Sequence, residues 1–125
     1  MTDLRILAAV AVGGTLGCVA RYGLGGWLTR GDFPWGTVAV NLLGSFALGF
    51  LVFSDLERGW LGPEQRMFLT VGFLGGFTTM SSFAVEFVDL AASGDAARAG
   101  LYYLLNAGAT VLAAVGGRAA AMAVG

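Results

Sequence analysis

Four long apolar stretches, separated by short polar connections, set the pattern of the chain. They run over about residues 4–28, 34–53, 64–90 and 95–124. Each has about 20 residues or more, which is the length that a helix needs to cross the hydrocarbon core of a bilayer. We therefore predict an all-α membrane protein with four transmembrane helices in a single domain, residues 1–125.

The composition supports a membrane protein and excludes several other classes. Of the 125 residues, 57% are hydrophobic and 12% are charged, whereas a soluble domain carries about 25% charged residues. The sequence has no histidine and one cysteine, so it lacks the side chains of common zinc sites and of a Ser-His-Asp triad. We expect neither an enzyme nor, at a net charge of −1, a partner that is a nucleic acid.

The third stretch has an unusual middle for a membrane helix. Residues 72–82 read Gly-Phe-Leu-Gly-Gly-Phe-Thr-Thr-Met-Ser-Ser, so three glycines are followed by four hydroxyl residues. Glycine and β-branched threonine both weaken a helix interior. We predict that this helix is broken near its middle, where its free backbone groups are buried in protein or face a wet cavity. The alternative is a continuous helix in which the hydroxyls bond back to their own turn.

The arginines leave the orientation in the membrane nearly balanced. Four fall on the side of the two termini and the second connection, and two or three fall on the other side. The first group is Arg5, Arg58, Arg66 and Arg118, and the second is Arg30 and Arg98, with Arg21 if it reaches the interface. Cytoplasmic segments normally carry the excess, so this small difference permits insertion both ways round. That would allow an antiparallel homodimer; a single fixed orientation is the alternative.

Polar residues within the membrane are costly and therefore indicate function. Thr37, Asn41 and Ser45 share one helix face, and this uncharged stripe suits either an anion or hydrogen bonds between helices. Arg21 either attracts anions or extends to the lipid headgroups. Glu86 is the deepest acid, and three roles are open to it: pairing with Arg21, capping a polar pathway, or carrying a proton.

Aromatic side chains accompany these polar positions. Phe83 lies beside the face of Glu86, and the positive edge of a phenylalanine ring can contact an anion. Tyr102, Tyr103 and Asn106 bring polar tips to the fourth stretch, and for these packing is the simpler explanation.

Three motifs in order along the chain resemble those of one family. Residues 13–22, GGTLGCVARY, resemble the GGxxGxxxRY opening of the Fluc (CrcB-type) fluoride channels. Residues 36–46, GTVAVNLLGSF, are similar to the family pattern GTxxxNxxGxF, and residues 72–83 resemble GxxGGxTTFSTF. The motifs cover the first two-thirds of the chain. The last third is similar only in being a fourth apolar stretch with a tyrosine.

The resemblance implies a channel that passively exports fluoride across the bacterial plasma membrane. It also implies an antiparallel, dual-topology homodimer with two pores at its interface, surrounded by membrane lipid. A structural sodium ion would lie at the dimer centre. By position, the backbone carbonyls of Gly75 and Thr78 would bind it.

The resemblance further implies a fluoride path through named side chains. Asn41 would be the pore amide and Phe83 the second phenylalanine of an aromatic box. Met80 stands where the family has the first phenylalanine of that box, which removes one aromatic edge from each pore. The complete predicted path is Arg21, Thr37, Asn41, Met80, Ser81, Ser82, Phe83, Glu86 and Tyr102.

Two other functions stay open at this point. A proton-coupled small multidrug exporter is also a four-span, dual-topology dimer of similar length. Such exporters resemble one another in carrying an essential acid in the first span, where this chain has none. A membrane scaffold that transports nothing would use the polar stripes for packing alone.

Overall fold

Four helical spans make up the structure, a computed structural model that describes residues 3–124. Each span is long and apolar enough to cross a membrane, which confirms the predicted all-α architecture with four potential membrane spans. The spans are Leu4–Leu28, Trp35–Arg58, Pro63–Ala92 and Ala96–Val124. Residues 1, 2 and 125 of the predicted domain lie outside the described residues.

The first two spans are regular helices, whereas the third and fourth are composed of shorter segments. Helix α1 is Leu4–Leu28 and α2 is Trp35–Arg58. The third span consists of α3 (Pro63–Met67), the π-helical segment π1 (Phe68–Leu74), α4 (Gly75–Phe77) and α5 (Met80–Ala92). The fourth consists of α6 (Ala96–Tyr103), the π-helical segment π2 (Leu104–Gly108) and α7 (Ala109–Val124). Wider π turns inside helices are often found at functional sites.

Helix α2 ends at Arg58, past the end predicted for it at residue 53. Ser54 and Asp55 suggested a polar connection, but both are buried, with 1% and 7% of their surface exposed. Arg58 donates to the Ser54 hydroxyl at 3.0 Å and the Leu61 N–H donates to Asp55 Oδ1 at 2.9 Å, so both side chains are satisfied inside the protein. The helix stops where Gly59 adopts the left-handed backbone conformation, at φ 58°, which glycine tolerates best.

Glycines bring the spans into backbone contact. Helix α1 packs along π1 and α4, and α2 packs along α7. A β-carbon at Gly17 would collide with the carbonyl of Phe73, and one at Gly117 would collide with the carbonyl of Phe46. Small residues serve this close approach in membrane proteins. Large apolar side chains such as Leu112 lie instead on the outside, where lipid is as apolar as they are.

A small apolar core joins the third and fourth spans to the start of α2. Its buried members are Phe33, Val38, Phe83, Leu90, Ala99 and Tyr102. The ring centroids of Phe33 and Tyr102 are 5.4 Å apart in an edge-to-face arrangement. This core fixes α5 and α6 against α2, and the polar residues of α2 and α5 lie directly beside it.

Candidate ion pathway

Two threonines with extended backbone separate α4 from α5. Thr78 has φ/ψ of −93°/157° and Thr79 has −149°/118°. The hydroxyl of Thr79 accepts a hydrogen bond from the Ser82 N–H at 3.2 Å, so Thr79 is the N-cap of α5. The third span therefore changes its backbone conformation in the glycine- and threonine-rich motif that the sequence singled out.

The side chain of Asn41 holds this extended segment from the facing helix α2. Its Oδ1 accepts from the Thr79 N–H at 2.8 Å, and its Nδ2 donates to the Thr79 carbonyl at 3.1 Å. Because the N–H can only donate and the carbonyl can only accept, this pair of bonds also fixes which way the amide points. Asn41 thus pairs with Thr79 as a neighbouring strand would.

A second amide completes the arrangement. Nδ2 of Asn41 also donates to Oδ1 of Asn106 at 2.8 Å, and Asn106 in turn donates to the Tyr102 carbonyl at 3.3 Å. Both N–H groups of Asn41 are therefore used within the protomer. An anion that takes this amide must displace one of the two acceptors.

Sequence reasoning assigned Asn106 to packing and did not select Thr79 at all. A signal for Asn106 was present, because Tyr102, Asn106 and Thr110 are spaced four apart and share a helix face. The Thr110 hydroxyl donates to the Asn106 carbonyl within this stripe. Polar spacing on the fourth span thus marks the residues that face Asn41.

One open groove of about 580 Å³ brings together predicted path residues from three spans. Arg21 comes from α1, Thr37 from α2 and Ser82 from α5. The other polar lining residues are Tyr22, Trp27, Thr29 and Thr79. The groove therefore offers mostly uncharged hydroxyl groups together with a single guanidinium.

Arg21 and Glu86 do not pair with each other, which removes one of the three roles open to Glu86. Arg21 donates from Nε to the Gly76 carbonyl at 2.9 Å. Glu86 accepts instead from the Thr37 hydroxyl at 2.7 Å. A cation at the carbonyl end of a helix is favourable, so Arg21 stabilises the end of α4 while lining the groove.

A second groove, of about 390 Å³, also has Thr79 among its lining residues. It is lined by Asn41, Met80 and Phe83, together with Ser45, Asn106 and Thr110. Phe83 is 7% exposed, and its ring centroid lies 5.6 Å from that of Tyr102. Met80 is 76% exposed, so the two positions of the predicted aromatic box differ sharply in environment.

The remaining predicted residues fall around these grooves. Ser81 is exposed, and its Oγ lies 3.4 Å from that of Thr79. Tyr102 is completely buried, and within residues 3–124 its hydroxyl has no hydrogen-bond partner. Gly75 is exposed and Thr78 is half-buried. In the same described range no cluster of His, Cys, Asp and Glu could hold a metal ion.

Comparison with known proteins decides the family. The family model described as CrcB-like protein, Camphor Resistance (CrcB), matches residues 8–118. The chain belongs to the CrcB family. This confirms the family inferred from the three motifs. The CrcB assignment also makes the chain a multi-pass membrane protein rather than an enzyme, consistent with the bacterial plasma membrane.

Relatives of this CrcB protein carry one shared name, fluoride-specific ion channel FluC. One from Methanopyrus kandleri is 49% identical over 122 residues, which cover 96% of this chain and 92% of the relative. One from Rhizobium etli is 42% identical over 115 residues, covering 88% and 90%. One from Thermus thermophilus is 49% identical over 96 residues, covering 74% and 75%. The similarity thus extends over most of both chains in each pair.

Proposed function

We propose that this protein is a fluoride channel through which fluoride leaves the cell passively across the bacterial plasma membrane. The observation that carries the proposal is the single groove in which Arg21, Thr37 and Ser82, from three different spans, lie together. The names of the CrcB relatives support fluoride as the ion. Asn41, Phe83 and Met80 extend the path into the second groove.

The chemistry of the grooves suits a small and strongly hydrated anion. Fluoride gives up its water only where hydroxyl and amide groups replace it, and the number of donors and the bore select against larger anions. Arg21 adds positive charge while it remains bonded to the Gly76 carbonyl. Conduction requires binding weak enough for exit, and a cation already engaged in this way attracts fluoride without enclosing it.

A second copy of the chain is needed to close the pathway. Gly75, Met80 and Ser81 are exposed on the protomer in the middle of the third span. Exposed polar backbone does not occur against lipid within the hydrocarbon region, so protein should cover this face. The nearly balanced arginines allow the covering copy to be inserted the opposite way round. We infer an antiparallel, dual-topology homodimer with two pores along its interface.

Sodium fits the carbonyl groups next to Thr79. The Thr79 and Ser82 N–H groups, which would pair with the carbonyls of Gly75 and Thr78 in a regular helix, donate to Asn41 and to the Thr79 hydroxyl instead. Backbone carbonyls at the end of an unwound helix coordinate Na⁺ in membrane proteins. The carbonyl oxygens of Gly75 and Thr78 would be the ligands of a structural sodium ion at the dimer centre.

Ion efflux from liposomes that contain the purified protein tests the function. We expect rapid fluoride loss, read by a fluoride electrode, without chloride loss from the same liposomes. Asn41→Asp should abolish the flux, because a carboxylate repels the anion and lacks the amide donors. Thr37→Val should slow it about tenfold, equivalent to roughly 1.4 kcal/mol on the barrier, because it removes a hydroxyl from the groove and leaves the Glu86 carboxylate without the donor it has at 2.7 Å. Thr15→Val is the matched control, since the Thr15 hydroxyl is exposed and donates to the Ala11 carbonyl of its own helix.

Two results would count against the channel. Equal loss of chloride and fluoride would show a pathway without the proposed selectivity. No flux from a folded protein would leave the two other functions: a proton-coupled exporter, or a scaffold in which the polar stripes serve packing alone.

A further inference from the structure

Among the carbonyl groups of residues 74–78, at the end of α4, the chain's own donors satisfy those of Leu74 and Gly76. The Leu74 carbonyl accepts from both the N–H and the hydroxyl of Thr78, each at 3.1 Å. The Gly76 carbonyl accepts from Arg21 Nε at 2.9 Å. The end of a helix normally leaves its last carbonyls without partners, so these bonds distinguish Leu74 and Gly76 from their neighbours.

The carbonyls of Gly75 and Thr78 differ from these two, because the N–H groups that would bond them in a regular helix donate to side chains instead. The Thr79 N–H, four residues after Gly75, donates to Asn41 Oδ1 at 2.8 Å. The Ser82 N–H, four residues after Thr78, donates to Thr79 Oγ1 at 3.2 Å. Two side-chain oxygens thus accept the hydrogen bonds that would otherwise occupy these two carbonyls.

We infer that Asn41 and Thr79 are positioning residues for the sodium site, because their side-chain oxygens keep the carbonyls of Gly75 and Thr78 free of helical hydrogen bonds. The inference rests on the proposed function and its sodium ion. Asn41 then has two separable roles: its acceptor oxygen prepares the cation site, and its side chain lines the second groove of the proposed fluoride path.

The cost of an unpaired backbone group inside a membrane explains why the side chains matter. Without Oδ1 of Asn41, the Thr79 N–H would lack a partner in surroundings where each unsatisfied group is expensive. The acceptor in helical register is the Gly75 carbonyl, so the helix would extend and the cation would lose a ligand. Loss of the Thr79 hydroxyl turns the Ser82 N–H toward the Thr78 carbonyl in the same way.

Conservative variants separate the acceptor from the donor. Asn41→Asp keeps an oxygen for the Thr79 N–H, whereas Asn41→Leu removes it. Thr79→Ser keeps the hydroxyl that caps α5, whereas Thr79→Val removes it at similar volume. Thr70→Val is the matched control in the same span, because the Thr70 hydroxyl donates to the Arg66 carbonyl of the preceding turn.

Sodium-dependent thermal stability measures the site without relying on ion flux. The full-length protein in detergent is unfolded at constant ionic strength while sodium replaces N-methylglucamine. A ligand that binds only the folded state raises the unfolding midpoint with its concentration. We expect this rise in the wild type, Asn41→Asp, Thr79→Ser and Thr70→Val. Asn41→Leu and Thr79→Val should need at least about tenfold more sodium for the same rise.

The outcomes distinguish the inference from the proposed function. If Asn41→Leu and Thr79→Val respond at wild-type sodium concentrations, the positioning role is wrong while the channel stands. If the wild type ignores sodium, both the sodium site and the positioning role are wrong, and fluoride efflux judges the channel separately. If Asn41→Leu fails to fold, the comparison of Thr79→Val with Thr79→Ser tests the positioning role: only Thr79→Ser should keep the wild-type response to sodium.

Discussion

The middle and the C-terminal end of α2 each hold a backbone N–H from outside the helix, but with side chains of different charge. At both places a buried side chain, 7% exposed, accepts a hydrogen bond from a backbone N–H outside the helix. In the middle, neutral Asn41 accepts from the Thr79 N–H at 2.8 Å. At the end, anionic Asp55 accepts from the Leu61 N–H at 2.9 Å and pairs with Arg66.

The difference follows from how far each place lies from water. Arg66 is 46% exposed, so its pair with Asp55 keeps one partner solvated and avoids most of the desolvation cost of a buried ion pair. In the middle of the bundle a charge is far more costly. A fixed carboxylate there would also oppose an anion in the adjoining grooves. A neutral amide therefore fixes the backbone beside the path, whereas the ion pair of Asp55 and Arg66 lies at the C-terminal end of α2.

Removal of the central amide should cost the most stability. Asn41→Leu leaves the N–H and the carbonyl of Thr79 and Oδ1 of Asn106 without this partner, and each unsatisfied buried group costs about 1–3 kcal/mol. We expect a loss of about 3–9 kcal/mol in the free energy of unfolding, measured by denaturant titration in detergent. A loss below about 1 kcal/mol for Asn41→Leu would contradict the central role of the amide.

Asp55, at the C-terminal end of α2, should matter for the stability of the fold but not for fluoride conduction. Asp55→Ala removes the acceptor of the Leu61 N–H and the partner of Arg66, so we expect a loss of about 1–3 kcal/mol in the same titration. Fluoride efflux per folded protein should stay at the wild-type rate, because Asp55 lines neither groove of the path. Asp89→Ala, at an exposed acid, is the control for the loss of one charge. A lower fluoride efflux for Asp55→Ala would show that the C-terminal end of α2 takes part in conduction.

The four spans could be predicted from apolar length alone, but the end of α2 could not. Ser54 and Asp55 are polar in the sequence, and only the structure shows that both are buried, with Ser54 bonded to Arg58 one turn along the same helix and Asp55 bonded to the Leu61 N–H. Local polarity therefore indicates a connection where the structure continues a helix.

The candidate path divides in a similar way. Sequence motifs selected Arg21, Thr37 and Ser82, and the structure places all three in one groove. Thr79 and Asn106 were missed because their bonds to Asn41 join residues 38 and 65 positions apart. Periodicity within one helix reports which face a side chain occupies, but it contains no information about the backbone on the opposite span.

The smallest effect is expected at Met80, in the middle of the third span. Met80 is 76% exposed on the protomer but lies on the face that the second copy should cover, so Met80→Phe, an exchange of two large apolar side chains, should change the free energy of unfolding by less than about 1.5 kcal/mol. The new ring adds an aromatic edge to the path, and it should lower the half-saturating fluoride concentration about threefold, or roughly 0.6 kcal/mol. Efflux at graded fluoride concentrations measures this shift, with Met80→Leu as the apolar control. If both variants behave alike, an apolar wall is sufficient at this position, and the neutral donors around Asn41 account for recognition of the anion.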